Sequence, residues 1–310
     1  MLDVRRMRVL REVAQRGSFS AAAEALSFTQ SAVSQQIAAL EREAGTVLVQ
    51  RSARGVRLTE AGEALVRHTE AILARLAEAE SELEAIAGLK GGRLRMASFE
   101  SAGATLMPLA IAAFREHHPA VELSMTLVEP DDSLPQLRAG DLDVALTFRD
   151  AHSPAEGEGF EHLFLIDDPM YLVLPRDHPL ARKRNLRLAD LAGEAWIGGG
   201  PSGCECNRLI NRACAAAGYQ PRIAFETDDY QAIQGFVAAG VGVSLIAELG
   251  LRSVREDVVV RDVGRDTPVR RIYATTLAEG YRSPATQAML AILQEVAHRY
   301  EQRPRLSLVS

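Results

Sequence analysis

Gln30, Ser31, Ser34 and Gln35 stand within one short stretch, directly after Ser27-Phe28-Thr29. A glutamine amide donates and accepts at once, so it can pair with one adenine edge, and a serine is small enough to let a backbone come close to a base or a phosphate. At helical period, Val33, Ile37 and Leu40 fall on the other face and must turn inward. Thr29 occupies the position of an N-cap, and the free N–H groups that follow a cap suit a phosphate. Arg51, Arg54 and Arg57 flank the turn formed by Ser52-Ala53-Arg54-Gly55, where cations reach a phosphate backbone or a narrow groove. Any one of these residues could simply be solvated. Their combination points to double-stranded DNA.

Catalytic chemistry is not written in the chain. There is no Gly-x-Gly-x-x-Gly, no phosphate-binding P-loop, no Gly-x-Ser-x-Gly and no His-Glu-x-x-His. Gly240-Val241-Gly242 follows a helical stretch, the wrong context for a dinucleotide. No catalytic residue, cofactor or metal is therefore expected. Cys204, Cys206 and Cys214 lack a neighbouring histidine and make a poor metal set. His117-His118 reads as the cationic end of a helix.

The elements that would carry the polar cluster follow from periodicity. Val4, Met7, Leu10 and Val13 mark a first helix that Gly17 ends. Ser20 is expected to cap a second, ending near Leu26. Thr29 caps a third, running to about Ala44 with Gly45 at its end. Leu48-Val49-Gln50 and Val56-Arg57-Leu58 read as paired strands. Three short helices with a tight turn between the second and third describe a helix-turn-helix, and the strand pair adds a wing. Thr59 then caps a long helix to Ala87, whose Leu65, Thr69, Ile72, Leu76, Ala79, Leu83 and Ile86 alternate spacings of four and three. That is a seam for a partner helix.

After a break at residues 88–92 the texture changes. Strands are expected at 94–96, 121–127, 144–146, 171–174, 223–225, 243–246 and 272–275, and helices at 106–117, 134–139, 207–217, 230–239 and 284–300. This alternation predicts an α/β fold with a largely parallel sheet. In such folds ligands lie outside the C-terminal strand ends, here 97–101, 147–148 and 198–202.

Composition sets the outer bounds. The chain has 310 residues, 47 % hydrophobic and 25 % charged, enough for two or three domains of ordinary globular type. Residues 1–58 hold nine arginines against five acids, a net +4, so the overall −6 leaves −10 on the rest. A basic head on an acidic body suits a phosphate-binding end. No stretch reaches the roughly 18 apolar residues of a membrane helix, and no signal peptide is visible, so a cytoplasmic protein without membrane contact is expected.

The head also carries a resemblance. Gly17-Ser18-Phe19-Ser20-Ala21-Ala22-Ala23-Glu24-Ala25-Leu26, then Thr29-Gln30-Ser31-Ala32-Val33-Ser34-Gln35-Gln36-Ile37, Leu40-Glu41, Arg51 and Val56-Arg57-Leu58-Thr59-Glu60-Ala61-Gly62 closely resemble the LysR-type transcriptional regulators. One departure is Ser31, where that family often has proline. The resemblance covers the whole chain. It implies a winged helix-turn-helix at 1–58, a linker and dimerisation helix with hinge at 59–91, and a two-lobed domain similar to periplasmic binding proteins at 92–310. Lobe I would take 92–162 and 266–310, and lobe II 163–265. Thr29, Gln30, Ser31, Ser34 and Gln35 would then face DNA, with Arg51 and Arg54 on its backbone and minor groove.

The resemblance further implies a small-molecule effector between the lobes. It assigns Ser101 by its distance from Pro108, Thr147 as the polar position after a strand, and Ser202 in the loop that closes the site. Ser98, Glu100 and Phe148 share the same strand ends. If Glu100 faces inward, it disfavours an anionic effector. Homodimers or homotetramers and contact with RNA polymerase are implied as well. Two other outcomes stay open. One is a thiol sensor, since a peroxide-sensing branch of the family uses a cysteine that would fall at Glu205, although only Arg208 and Arg212 could activate a thiol there. The other is a small-molecule receptor without DNA function.

Overall fold

A computed structural model describes residues 1–52, 55–86, 92–150, 159–199, 204–279 and 282–303. The chain forms two compact units, one built on Met1–Leu83 and the other on Glu84–Leu137 with Leu142–Ser310.

In the first unit, α1 (Val4–Arg16) begins where the Asp3 carboxylate accepts the Arg5 N–H. It stops at Gly17, whose φ of 62° is the left-handed conformation that favours glycine. The cap of α2 (Phe19–Ala25) is Ser18 and not Ser20. Ser18 has extended backbone, φ −151° and ψ 136°, which lets its hydroxyl accept the Ala21 N–H at 3.4 Å. Ser20 is already inside the helix. The Thr29 hydroxyl accepts the Ala32 N–H at 3.1 Å and opens α3 (Gln30–Ala44), which ends at Gly45 in the left-handed region. Met7, Leu10, Val13, Phe19, Val33, Ile37, Leu40, Leu48 and Leu65 form the core of this unit. Each fully buried side chain of this kind is worth about 1.5–3 kcal/mol, so the apolar stripe decides which face of each helix turns in.

The wing pairs β1 (Val49–Ser52) with β2 (Gly55–Leu58), antiparallel. Glu41 positions it from α3, its Oε1 accepting the Leu48 and Val49 N–H groups at 2.9 and 3.2 Å. The Thr59 hydroxyl donates to the Val47 carbonyl at 2.8 Å and accepts the Gly62 N–H at 3.0 Å, which starts α4 (Glu60–Ile86). A Cβ at Gly62 would lie 2.1 Å from the Leu48 carbonyl oxygen, so the passing strand admits only glycine there. Along α4, Leu65 and Thr69 are buried, whereas Ile72, Leu76 and Leu83 are 37 %, 46 % and 66 % exposed.

The second unit alternates β3 (Arg93–Ser98), α5 (Glu100–His117), β4 (Glu122–Leu127), α6 (Pro130–Arg138), β5 (Val144–Asp150) and β6 (Phe160–Pro175). It continues through β7 (Ala195–Gly199), α7 (Glu205–Ala216), β8 (Arg222–Thr227), α8 (Tyr230–Ala238), β9 (Ser244–Ala247), β10 (Val258–Arg261), β11 (Val269–Leu277) and α9 (Pro284–Glu301). The main sheet runs β10-β6-β11-β5-β3-β4, with β9 also on β6. It is mixed, which corrects the expectation of a largely parallel sheet. β3 is parallel to β4 and β5, but β11 is antiparallel to β5 and β6, and β6 is antiparallel to β9 and β10. β7 and β8 form a separate parallel pair, tied to residue 243 by the Trp196–Val243 bridge.

The physical reason is the length of β6. Its first part pairs with β11, from Phe160↔Leu277 to Pro169↔Val269. Its last part, from Met170, is flanked by β9 on one edge and β10 on the other. Residue 163, the expected start of lobe II, falls inside this strand. Three further expectations are corrected. α5 begins at Glu100 and passes through Pro108, where a helix start at Leu106 was expected, and α6 likewise contains Pro135. β10 was not expected, and β7 only by its end at 198–202, although Trp196 and Ile197 are wholly buried.

Candidate nucleic-acid interface and effector cleft

α3 buries Val33, Ile37 and Leu40 and leaves Gln30, Ser31 and Gln35 exposed, with Ser34 half-buried. Thr29 is exposed, but its hydroxyl is engaged by the Ala32 N–H and lies 3.0 Å from the Ser31 hydroxyl. Gln36, beside Gln35, accepts from Arg6 Nε at 3.2 Å. The sequence-predicted amides thus share one solvent-facing surface at the N-terminal end of the helix. Arg57 is exposed on β2. Arg54 and the Arg51 side chain lie outside the described residues.

In the second unit two of the expected strand ends, at Phe99–Ser101 and at Phe148, meet a buried pair that the sequence did not reveal. Arg270 on β11 and Asp168 on β6 are each 1 % exposed, with Nε 2.7 Å from Oδ2. Asp168 Oδ1 also accepts the Leu249 N–H at 3.0 Å, and Arg270 Nη2 donates to the Ser101 hydroxyl at 2.5 Å. Phe99 and Phe148 hold the guanidinium between them, each ring centre 4.9 Å away. Burial pushes the Asp168 carboxyl up against the pull of Arg270. Burial draws Arg270 down, but the Asp168 charge leads the interactions that hold it above its ordinary value. A signal was available: Asp167-Asp168 interrupts an apolar run, and a carboxylate in such a strand needs a partner.

Two cavities open at these strand ends. The first, of about 320 Å³, is lined by Glu100, Leu127, Val128, Glu129, Asp228 and Asp229. Burial, followed by the charges of Asp228, Asp229 and Glu129, pushes Glu100 up to about 7. Burial raises Glu129 too, with Arg270 opposing. Among the described residues no group of three or more histidine, cysteine or acidic side chains could hold a metal ion. The second cavity, of about 290 Å³, is lined on one side by Thr147, Phe148, Arg149 and His162 and on the other by Arg208 and Arg212 of α7.

The structure therefore separates the expected effector residues. Glu100 lines one cavity and Thr147 and Phe148 the other. Ser98 is wholly buried and donates to the Phe99 carbonyl at 3.0 Å, while Ser101 is held by Arg270. Thr147 lies 2.7 Å from the Thr275 hydroxyl, which also meets His162 Nδ1 at 2.9 Å. Ser202 lies outside the described residues. Sequence reasoning missed Arg149, Arg208 and Arg212 as lining residues because their strand and helix positions meet only in the folded sheet. The three thiols are buried: Cys206 is pushed up to about 12 by burial, and Cys204 and Cys214 are raised for the same reason.

A winged three-helix head, a long helix and an α/β domain with cavities at its strand ends define a DNA-binding regulator with a separate small-molecule domain. Residues 4–63 match the family described as "Bacterial regulatory helix-turn-helix protein, lysR family", and residues 87–298 match "LysR substrate binding domain". The probable HTH-type transcriptional regulator LrrA of Synechococcus elongatus is 30 % identical over 96 % of this chain and 98 % of that protein. The HTH-type transcriptional regulator CbbR of Rhodospirillum rubrum is 31 % identical over 95 % of this chain and 96 % of that protein. Full-length CbnR, solved in complex with its target DNA, has the same fold, with a TM-score of 0.61, 23 % identity, and 95 % of this chain and 100 % of that one covered. The chain belongs to the LysR family of bacterial transcriptional regulators. No helix among the described residues is long and apolar enough to cross a membrane.

Proposed function

We propose that this chain reads a promoter sequence with Gln30, Ser31, Ser34 and Gln35 of α3, steadied on the DNA backbone by Thr29 at the helix start and by Arg51, Arg54 and Arg57 around the wing. The observation that carries this reading is the division of α3: its apolar stripe is spent on the core, so its amides and hydroxyls are left for a groove. The regulator acts as a homodimer or homotetramer. Ile72, Leu76, Ala79 and Leu83 support pairing along α4, because an exposed apolar seam of this length is stabilised by a second helix.

A small-molecule effector in the cleft between the lobes shifts the population of lobe positions and so the placement of the heads, which changes access of RNA polymerase. Thr147, Phe148 and Ser202 contact it, and Ser98, Ser101 and Glu100 shape the adjoining strand ends. The chain works in the cytoplasm, without catalysis and without a cofactor. Burial of the cysteines supports a bound effector over a thiol sensor, since a raised thiol yields little thiolate. The test is selection of bound sites from a random DNA library. A dyad-related consensus is expected, blurred at specific positions by Gln30→Ala. Recovery of unrelated sequences would overturn the reading.

A further inference from the structure

Arg149 is the unspent cation of the molecule's second cavity. Its guanidinium carbon lies 5.0 Å from the centre of the Tyr273 ring, and its Nη2 is buried without a hydrogen-bond partner among the described residues. Its neighbours in the same cavity are already balanced. Arg208 reaches Asp131 at 3.0 Å and Glu205 at 2.7 Å. Arg212 reaches Asp150 and Glu205, each at 3.0 Å. A buried guanidinium N–H left unmet is costly, and native proteins satisfy such groups.

We propose that this cavity binds a small organic carboxylate, whose two oxygens meet the Arg149 fork and the Thr147 hydroxyl while its apolar body lies against Leu134 and Pro130. The proposal rests on the cleft being the effector site and names the class of effector that site takes. Three observations converge on it. Arg149 lines the cavity without an acidic partner among the described residues, and its planar fork matches a carboxylate in geometry as well as charge. Thr147, in contact with Thr275, supplies a hydroxyl on the same floor. The volume of about 290 Å³ stands at the small end of ligand pockets, and its wall is partly apolar.

The acidic side chains do not oppose this ligand. Asp131 and Glu205 line the cavity but are held by Arg208 and Arg212. Glu100, expected from sequence to disfavour an anion, lines the other cavity with Glu129, Asp228 and Asp229. Binding would also act on lobe position. Arg208 and Arg212 belong to α7, and their partners Asp131 and Asp150 to α6 and β5. A carboxylate between the two sides adds a negative charge beside these cross-cleft pairs and draws α7 toward Arg149.

The experiment is isothermal titration of the full-length protein with a panel of linear and aromatic monocarboxylates, each matched with its primary amide and accompanied by inorganic phosphate. At least one carboxylate should bind saturably while its amide and phosphate do not. Affinity should fall about tenfold or more in Arg149→Met, the scale of losing a charged hydrogen bond. Arg212→Met, on an exposed side chain that does not threaten folding, should weaken it as well. Binding of a carboxylate undiminished in both variants would overturn the assignment of these arginines, and phosphate binding alone would overturn the carboxylate. If amides or amines bind instead and Thr147→Val abolishes their binding, the class is wrong but the cleft remains the effector site. If no compound binds and a cell-derived effector is unaffected by Thr147→Val, both readings fall.

Discussion

Arg270 Nε lies 2.7 Å from Asp168 Oδ2, between residues that face each other directly in the β11–β6 register. Because Asp168 also holds the Leu249 amide and Arg270 the Ser101 hydroxyl, this pair ties the start of α5 to the 3-10 turn that follows β9. Removing one partner of a wholly buried pair leaves a charge without compensation, at about 3–5 kcal/mol, whereas replacing both by apolar groups is often neutral. Asp168→Asn should therefore lower the unfolding midpoint reported by Trp196, the chain's single tryptophan, and the double variant Asp168→Leu with Arg270→Met should recover most of the loss. A double variant as unstable as the single one would mean that packing around Phe99 and Phe148, not charge, dominates there.

The α3 assignment separates two kinds of contact. Gln30→Ala should relax preference at one or two base positions, costing about 1–3 kcal/mol on the best site, and leave non-specific binding nearly unchanged. Arg57→Ala should weaken all sequences alike and reduce the salt dependence by about one phosphate contact. Fluorescence anisotropy on a selected site and a scrambled one, across salt, distinguishes them. Equal effects of Gln30→Ala on both DNAs would remove it from the base contacts.

Leu76 is 46 % exposed in the middle of the α4 seam. Leu76→Asp places a charge against its own symmetry mate in a paired helix, so sedimentation should show monomers where the parent chain is a dimer. A stable dimer in the variant would move the interface elsewhere.

Glu100 gives a pH signature. Its folded carboxyl is held near about 7 against an ordinary 4.5, so the folded state keeps a proton that the unfolded chain releases. The stability this contributes is fully present below about 4.5 and is lost as pH rises through about 7. Between those limits thermal stability should fall more steeply for the parent chain than for Glu100→Gln. Parallel curves would show that Glu100 titrates as an ordinary exposed acid.

Local signals explain what the sequence made legible. Thr29, Gly17 and Gly45 act within a few residues, and the stripe Val33, Ile37, Leu40 has one helical reading, so the head could be placed almost element by element. Ser18 was missed in favour of Ser20 because both stand before the same alanines and only the backbone angle decides. In the second unit, strand direction depends on partners about a hundred residues apart, such as Asp168 and Arg270, which no local pattern encodes. Pro108 and Pro135 hid the starts of α5 and α6, since a proline inside a helix reads as a boundary. The cleft residues Arg149, Arg208 and Arg212 were visible as charges, and only the fold brings them to one cavity.

The head should bind a specific site in DNA. Footprinting of the purified full-length protein across the region upstream of its own gene, at several salt concentrations, tests it most directly. Protection of a dyad-related site that weakens steeply with salt is the predicted result. Well-folded protein that protects no site, with or without the carboxylate panel, would contradict it.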